Sequence, residues 1–292
     1  MIIVFGSINL DLIFALPEIP RAGETLLGPA ARIEPGGKGA NQAVAAARDG
    51  ARVVMAGAVG QDALAEGALA LLAEAGIDLV RVVRGAAATG CAAIAVDSEG
   101  RNAIAVGAGA NSLATADQVE DGLLGPNTTL LVQMEVPVAA NAALIRRARA
   151  AGARVILNLA PAAAVAEEVL RLLDLLVVNE SEAAWLAASL GCDPAAGGLA
   201  ARLGIGVIRT LGEQGAEYAG PLGAWHQKAR PVAATDTTAA GDCFVGVLAA
   251  GLDRGLDMAG AMERAGVAAG LACTRAGSQG SLPVRAEIDA AG

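Results

Sequence analysis

Thr235-Asp236-Thr237-Thr238-Ala239-Ala240-Gly241-Asp242-Cys243-Phe244 decides how the chain is read. Small residues lead into an acid, and the apolar segment Phe244 to Leu252 follows as an expected buried helix ended by Gly251 and Asp253. Small residues let backbone N–H groups come close to a ligand, and a helix start adds unpaired donors and the positive end of a dipole. The run therefore predicts an anion site, suited to a phosphate whose charge grows during transfer. Asp242 falls on its floor. A carboxylate repels a merely bound phosphate, but it can take a proton from an attacking hydroxyl. The same residues also read as a turn and helix cap, with Asp236 or Asp242 as the capping acid.

A second glycine loop lies near the other end of the chain, at Glu34-Pro35-Gly36-Gly37-Lys38-Gly39-Ala40-Asn41-Gln42-Ala43, and opens an alanine-rich helix. It lacks the G-x-x-x-x-G-K-[ST] order, which excludes a Walker-type nucleotide site. Gly107-Ala108-Gly109-Ala110-Asn111-Ser112 fails the dinucleotide fingerprint, because its last position is serine and no acid follows at the required distance.

Between these loops the pattern alternates. Ile2–Phe5, Val53–Ala58, Leu130–Gln133, Val155–Asn158, Leu175–Val178 and Val207–Thr210 read as strands buried on both faces. Lys38–Asp49, Ala63–Ala75, Ala139–Ala151 and Ala164–Leu173 read as helices between them. Such βαβ units predict an α/β fold on a mostly parallel sheet. Two segments depart from the pattern. Leu10 to Arg32 carries three prolines, and Ala92–Val106 alternates about a turn at Asp97-Ser98-Glu99-Gly100. Both suit strands lying outside the main sheet.

Composition narrows the function. The 292 residues can bury roughly three quarters of their unfolded surface. Hydrophobic residues make up 54% and aromatic ones only 2%, so helices can lie close on a sheet but few rings are available for stacking on bases. A net charge of −9 argues against nucleic acid or an anionic membrane as the main partner. Cys91, Cys192, Cys243 and Cys273 have no metal-site spacing, which points to reduced thiols in a cytoplasmic setting. The one histidine, His226, is expected on an exposed strand, which deprives a Ser-His-Asp hydrolase of its base. No signal peptide or membrane span is expected.

The chain resembles the ribokinase family of carbohydrate kinases. Four segments carry the likeness: Gly6-Ser7-Ile8-Asn9-Leu10-Asp11, the Gly36 to Asn41 loop, Asn179-Glu180-Ser181-Glu182, and Asp236 to Asp242. Weaker echoes stand at Gln133-Met134-Glu135, Asn158-Leu159-Ala160-Pro161, Thr210-Leu211-Gly212 and Gly277 to Pro283. They follow the family's order along nearly the whole chain. The resemblance implies one ribokinase-like α/β kinase domain over residues 1–292, with a small β lid at about 10–34 and 88–106 that often doubles as a homodimer surface.

It also distributes roles. Asn9, Asp11, Gly37, Lys38, Gly39, Ala40, Asn41 and Glu135 are the implied sugar-binding set, with Asp242 as general base and Ala239, Ala240 and Gly241 as the anion hole. Asn179, Thr210, Leu211, Gly212, Glu213, Gln214, Gly215, Gly241, Asp242 and Gly266 fall on the family's ATP-binding positions, although Gly266 replaces a larger residue against adenine. The side chains of Glu213 and Gln214 receive no role. Glu182 is the implied magnesium residue, acting through water, although Asn179 and Glu182 also read as helix caps. A potassium activator is implied at Asp236, Thr238, Ala272, Arg275, Gly277 and Ser281; carbonyl ligands leave no side-chain signature in a sequence. The intact Gly-Gly-Lys-Gly-Ala-Asn loop, with Asn9 and Asp11, favours transfer of the γ-phosphoryl of ATP to the 5-hydroxyl of D-ribose. Family members also act on deoxyribose, fructose, adenosine and pseudouridine, and a catalytically silent sugar sensor is the non-enzymatic alternative.

Overall fold

The structure, a computed structural model, describes residues 1–99 and 101–292. Gly100, part of the turn expected at 97–100, lies outside the described residues.

The chain begins in the middle of its larger sheet. Strand β1 (Ile2–Phe5) pairs in parallel with β4 (Val53–Gly60) on one side and β8 (Thr129–Val132) on the other. Ile2 and Val4 face one apolar core while Ile3 and Phe5 face the second, as the period of two requires. Every side chain of β1 is buried, which is why this run is uniformly apolar. Beyond β8 the sheet continues through β9 (Arg154–Asn158), β10 (Leu175–Asn179) and β11 (Gly206–Thr210), all parallel. It closes on two antiparallel strands, β12 (Ala216–Gly220) and β13 (Gly223–Gln227), where His226 is exposed as expected. At the other edge lies β5 (Asp78–Gly85), giving nine strands.

Helices cover both faces. Those on the Ile2 and Val4 side are α1 (Lys38–Arg48), α2 (Ala63–Glu74), α7 (Ala240–Asp253) and α8 (Met258–Cys273). The other face holds α3 (Val138–Ala150), α4 (Glu167–Leu170), α5 (Glu180–Leu190) and α6 (Ala196–Leu203). The terminal α9 (Arg285–Ala291) adds Ile288 to the first core.

Two sequence expectations need correction. The helix expected over Ala164–Leu173 shrinks to the single turn α4, because the crossover from β9 to β10 runs extended at Ala166 and alanine's helix propensity yields to that path. The helix after Asp242 does not end at Gly251 but runs through it to Asp253. There α8 lies so close that a Cβ on Gly251 would stand 3.2 Å from that of Ala261.

The departing segments form a separate four-stranded sheet of order β3-β2-β6-β7, from β2 (Asn9–Ala15), β3 (Ala30–Gly36), β6 (Gly90–Val96) and β7 (Asn102–Gly107). Its inner face keeps a small core of Ile13, Ala92 and Ile94. Phe14, Ile33, Ile104 and Val106 remain exposed. Only three residues, Gly6 to Ile8, separate β1 from β2, so the sheets meet where the parallel strands end. Ligands collect at that edge of an open parallel sheet.

Candidate active site

The glycine loop at 36–39 fits there because it meets the Gly6-Ser7 turn backbone to backbone. A Cβ on Gly39 would stand 2.7 Å from Gly6 C and from Ser7 N, so any larger residue would part the two loops. Ser7 Oγ donates to Glu135 Oε2 at 2.6 Å, and the Lys38 N–H donates to the same oxygen at 3.0 Å. Glu135 follows β8, so one carboxylate joins β1, α1 and β8 at their shared end. The buried Asn9 is held likewise, its Oδ1 accepting from Asn111 Nδ2 at 2.7 Å.

Asp11 and Asn41 differ from their neighbours. Both are buried, yet Asp11 Oδ1 and Asn41 Oδ1 have no hydrogen-bond partner among the described residues. Burial pushes the Asp11 carboxyl up to about 7, helped by the charges of Glu135, Glu34 and Asp242 and opposed by Lys38. The negative charge of Asp242 above all, with smaller help from Glu135, Glu182 and Asp11, holds the Lys38 ammonium above the usual lysine range against its burial.

Asp242 stands in the first turn of α7, buried, with both oxygens engaged. Asn41 Nδ2 donates to Oδ2 at 3.0 Å and Gln42 Nε2 donates to Oδ1 at 2.9 Å. Ala239, which precedes the helix, adopts a left-handed backbone (φ 58°) that few non-glycine residues take. The N–H of Ala240 turns back onto Thr237 O at 3.2 Å. Those of Gly241 and Asp242 have no acceptor among the described residues, so of the expected donors Ala240 is occupied and Gly241 is free, while Asp242 adds a free N–H outside that set.

Asn179 and Thr210 end adjacent strands and pair in register. The capping alternative is realised at Asn179: its Oδ1 accepts from the Glu182 N–H at 2.8 Å, and Glu182 Oε2 accepts from the Asn179 N–H at 2.8 Å. The other Glu182 oxygen keeps no protein partner among the described residues. Burial raises the Glu182 carboxyl above its ordinary range, against the Asn179 bond and nearby Lys38. Leu211 to Gly215 wrap into an exposed turn beyond β11. Gly266 stands apart in α8, with open space where a side chain would begin.

Asp236 gathers the remaining group. Its Oδ1 accepts from the Thr238 N–H at 2.9 Å and its Oδ2 from the Gly277 N–H at 3.0 Å. The N–H groups of Thr235 and Asp236 in turn reach Cys273 O at the end of α8. Thr238 and Gly277 thus meet on one carboxylate, whereas Arg275 N–H donates to Ala272 O and the buried Ser281 hydroxyl donates to Ser278 O. Burial pushes Asp236 up, but its bonds from Thr238 and Gly277 outweigh this and hold it below the usual range. The next residue, Ser278, is stitched to the end of β3 just before the glycine loop: its N–H donates to Glu34 Oε2 at 3.2 Å and its hydroxyl to Pro35 O at 2.8 Å.

Residues 1–285 match the pattern of the pfkB family carbohydrate kinases. The chain belongs to that family. It is 35% identical to a ribokinase of Staphylococcus aureus over 99% of this chain and 98% of the relative. Among solved structures, the ribokinase of Thermotoga maritima superposes with a TM-score of 0.90 at 31% identity, covering 99% of this chain and 98% of its own. Arabidopsis thaliana ribokinase, solved with ribose and ATP, gives a TM-score of 0.87 at 27% identity, with 99% and 97% covered.

Several residues of this kinase's site escaped the sequence reading. Ser7 and Asn111 hold Glu135 and Asn9, and Gln42, Gln133 and Asn158 form a buried amide group beside Asp242. The detectable signal was polarity out of place: Gln133 and Asn158 each close a strand that is otherwise apolar. Among the described residues no group of three His, Cys, Asp or Glu could hold a metal, and no helix is long and apolar enough to cross a membrane.

Proposed function

We propose that this carbohydrate kinase transfers the γ-phosphoryl of ATP to the primary 5-hydroxyl of D-ribose, giving ribose 5-phosphate and ADP. The observation that carries the reading is the pair of buried oxygens on Asp11 and Asn41 that have no partner among the described residues. Buried acceptors are costly unless a ligand supplies donors, and vicinal sugar hydroxyls are such donors. The relative solved with ribose and ATP supports the choice of both substrates.

In this mechanism Asn9, Asp11, Asn41 and Glu135 fix the sugar against the Gly37 to Ala40 loop. The 5-hydroxyl gives its proton to Asp242 as its oxygen attacks the γ-phosphorus and the bond to the β-phosphate oxygen breaks. The free N–H groups of Gly241 and Asp242, with Ala239 and Ala240 shaping the turn, stabilise charge on the transferring group. Lys38, held positive above all by the charge of Asp242, joins the sugar-binding set in the Gly37 to Ala40 loop. Asn179 and the Thr210 to Gly215 turn seat the nucleotide, with Gly266 of α8 taking the family's position against adenine. A positioned base is typically worth about 10²–10⁴ in rate.

Magnesium, when bound with ATP, neutralises phosphate charge. The single free oxygen of Glu182 fits such an ion only through water, which magnesium retains readily. Potassium fits the Asp236 group, whose carboxylate is already ionised and pinned between Thr238 and Gly277. Residues 1–292 then act as one unit in which segments 10–34 and 88–106 form a lid. The exposed Phe14 and Ile33, which lie on the face of the small sheet opposite Ile13 and Ile94, support a homodimer through its outer face, and four unpaired cysteines suit the cytoplasm.

ADP release with ATP and magnesium tests the reading across ribose, 2-deoxyribose, fructose, adenosine and pseudouridine, with and without potassium. Preference for ribose with potassium activation is expected. Turnover confined to another substrate would overturn the ribose assignment, and sugar binding without any turnover would leave a sensor.

A further inference from the structure

Behind Asp242 runs a chain of buried amides for which the reaction above has no use. Gln42 and Gln133 are fully excluded from solvent, and Asn141 and Asn158 nearly so. Asn141 Nδ2 donates to Gln133 O at 2.6 Å, and Gln133 Nε2 donates to Gln42 Oε1 at 2.6 Å. Gln42 Nε2 then donates to Asn158 Oδ1 and to Asp242 Oδ1, each at 2.9 Å. Asn158 is steadied by its own donation to Val177 O at 3.2 Å. Room for the Gln133 amide comes from Gly6, where a Cβ would fall 2.0 Å from Gln133 Oε1.

The order of donors and acceptors gives the chain a direction. If the Gln42 amide turned over, its oxygen would meet the oxygens of Asp242 and Asn158, and its NH₂ would meet that of Gln133. Each alternative loses buried hydrogen bonds at once, so the orientation is fixed by the set rather than by any one member. Neutral amides suit this place: they donate to a carboxylate without competing for its proton. We infer that Gln42, locked by Gln133 and Asn158, is a positioning residue that sets the Asp242 carboxylate at the angle required to receive the sugar's proton. Asn41 touches the other oxygen, but its unpartnered Oδ1 marks it for substrate, whereas Gln42 has no free polar atom. The inference rests on the reading of Asp242 as base.

A cycle of variants tests it. Gln42→Met keeps the length of the side chain and removes its donors. The expected result is a fall in kcat of about 10-fold or more, with the KM for ribose and the unfolding midpoint little changed. In an Asp242→Asn background the same substitution should cost nothing further, because no base remains to be placed. Gln133→Met, which does not touch Asp242, should lower kcat several-fold alone and add nothing to Gln42→Met. Equal losses in the wild-type and Asp242→Asn backgrounds would overturn the positioning role while leaving the base in place. Wild-type kcat in Gln42→Met would do the same. Should Gln42→Met not fold, wild-type kcat in Gln133→Met overturns the relay. Unimpaired turnover in Asp242→Asn itself would instead strike the base, and the inference would fall with it.

Discussion

At the end of the site proposed for the sugar, Asn9, Asp11, Asn41 and Asp242 are all buried, and other side chains hold Asn9, Asn41 and Asp242. At the end proposed for the nucleotide, Asn179, Gly212, Glu213 and Gln214 are exposed, and the free donors are backbone N–H groups of Gly241 and Asp242. The first is an interior with two oxygens left open. The second is a surface. An interior discriminates, because a missing or inverted hydroxyl strands a buried polar group; a surface of backbone donors takes hold of phosphate without reading much else. Sugar choice should therefore be strict and sensitive to substitution, and nucleotide choice tolerant.

The comparison breaks most readily at Asp242, which touches both ends. Asp242→Asn should lower turnover by about 10²–10⁴ while nucleotide binding persists, as measured by ADP release and by titration with ADP. Loss of nucleotide binding in that variant would merge the two ends into one.

Asp11→Asn comes next. It should weaken ribose by roughly 10- to 100-fold, from the loss of one buried acceptor, and leave ATP affinity within a few-fold. Calorimetry with each ligand separates the two effects. Asp11 also supplies a pH signature. Its folded value of about 7 lies above the ordinary 3.8, so between those values the folded protein holds a proton that the unfolded chain has released. Stability must then fall as pH rises through this window, and the penalty is complete above about 7. Asp11→Asn should raise the unfolding midpoint at pH 8 and gain progressively less toward pH 5. Hydroxyl donors favour the ionised carboxylate, so ribose affinity should rise from pH 6 to 8 in the wild type and stay flat in the variant.

The smallest effect belongs to the nucleotide end. Gly266 lies inside α8 with nothing within 4 Å of a would-be Cβ, so Gly266→Ala should raise stability by about 0.5–1 kcal/mol in chemical denaturation. A loss would mean that the open space is needed.

The same division explains what could be read in advance. The strands around β1 were legible as apolar runs because both their faces are covered. The small sheet was legible as a departure from that rhythm. The edge strand β5 was not, since Arg81 and Arg84 interrupt its apolar residues and turn outward to Glu120 and Glu66. Within the site, the side proposed for the sugar could be nominated in advance because its chemistry sits in side chains at Asn9, Asp11, Asn41 and Glu135. The amide chain behind Asp242 was hidden, because Gln42 and Gln133 stand 91 residues apart and only the packed sheet joins them. The donors at 241 and 242 announced themselves through small residues alone, with no hint that Ala240 would spend its N–H on Thr237.

The bonds from Ser278 to Glu34 and Pro35 carry one more consequence. They tie the strand that leads into the 36–39 loop to the segment that grips Asp236, so the sugar and ion proposed for the two places would share a mechanical support. Whatever free energy one occupant spends in tightening that seam, the other is spared. Linkage makes the favour equal in both directions: if a monovalent ion strengthens the grip on the sugar, the sugar strengthens the grip on the ion by the same factor.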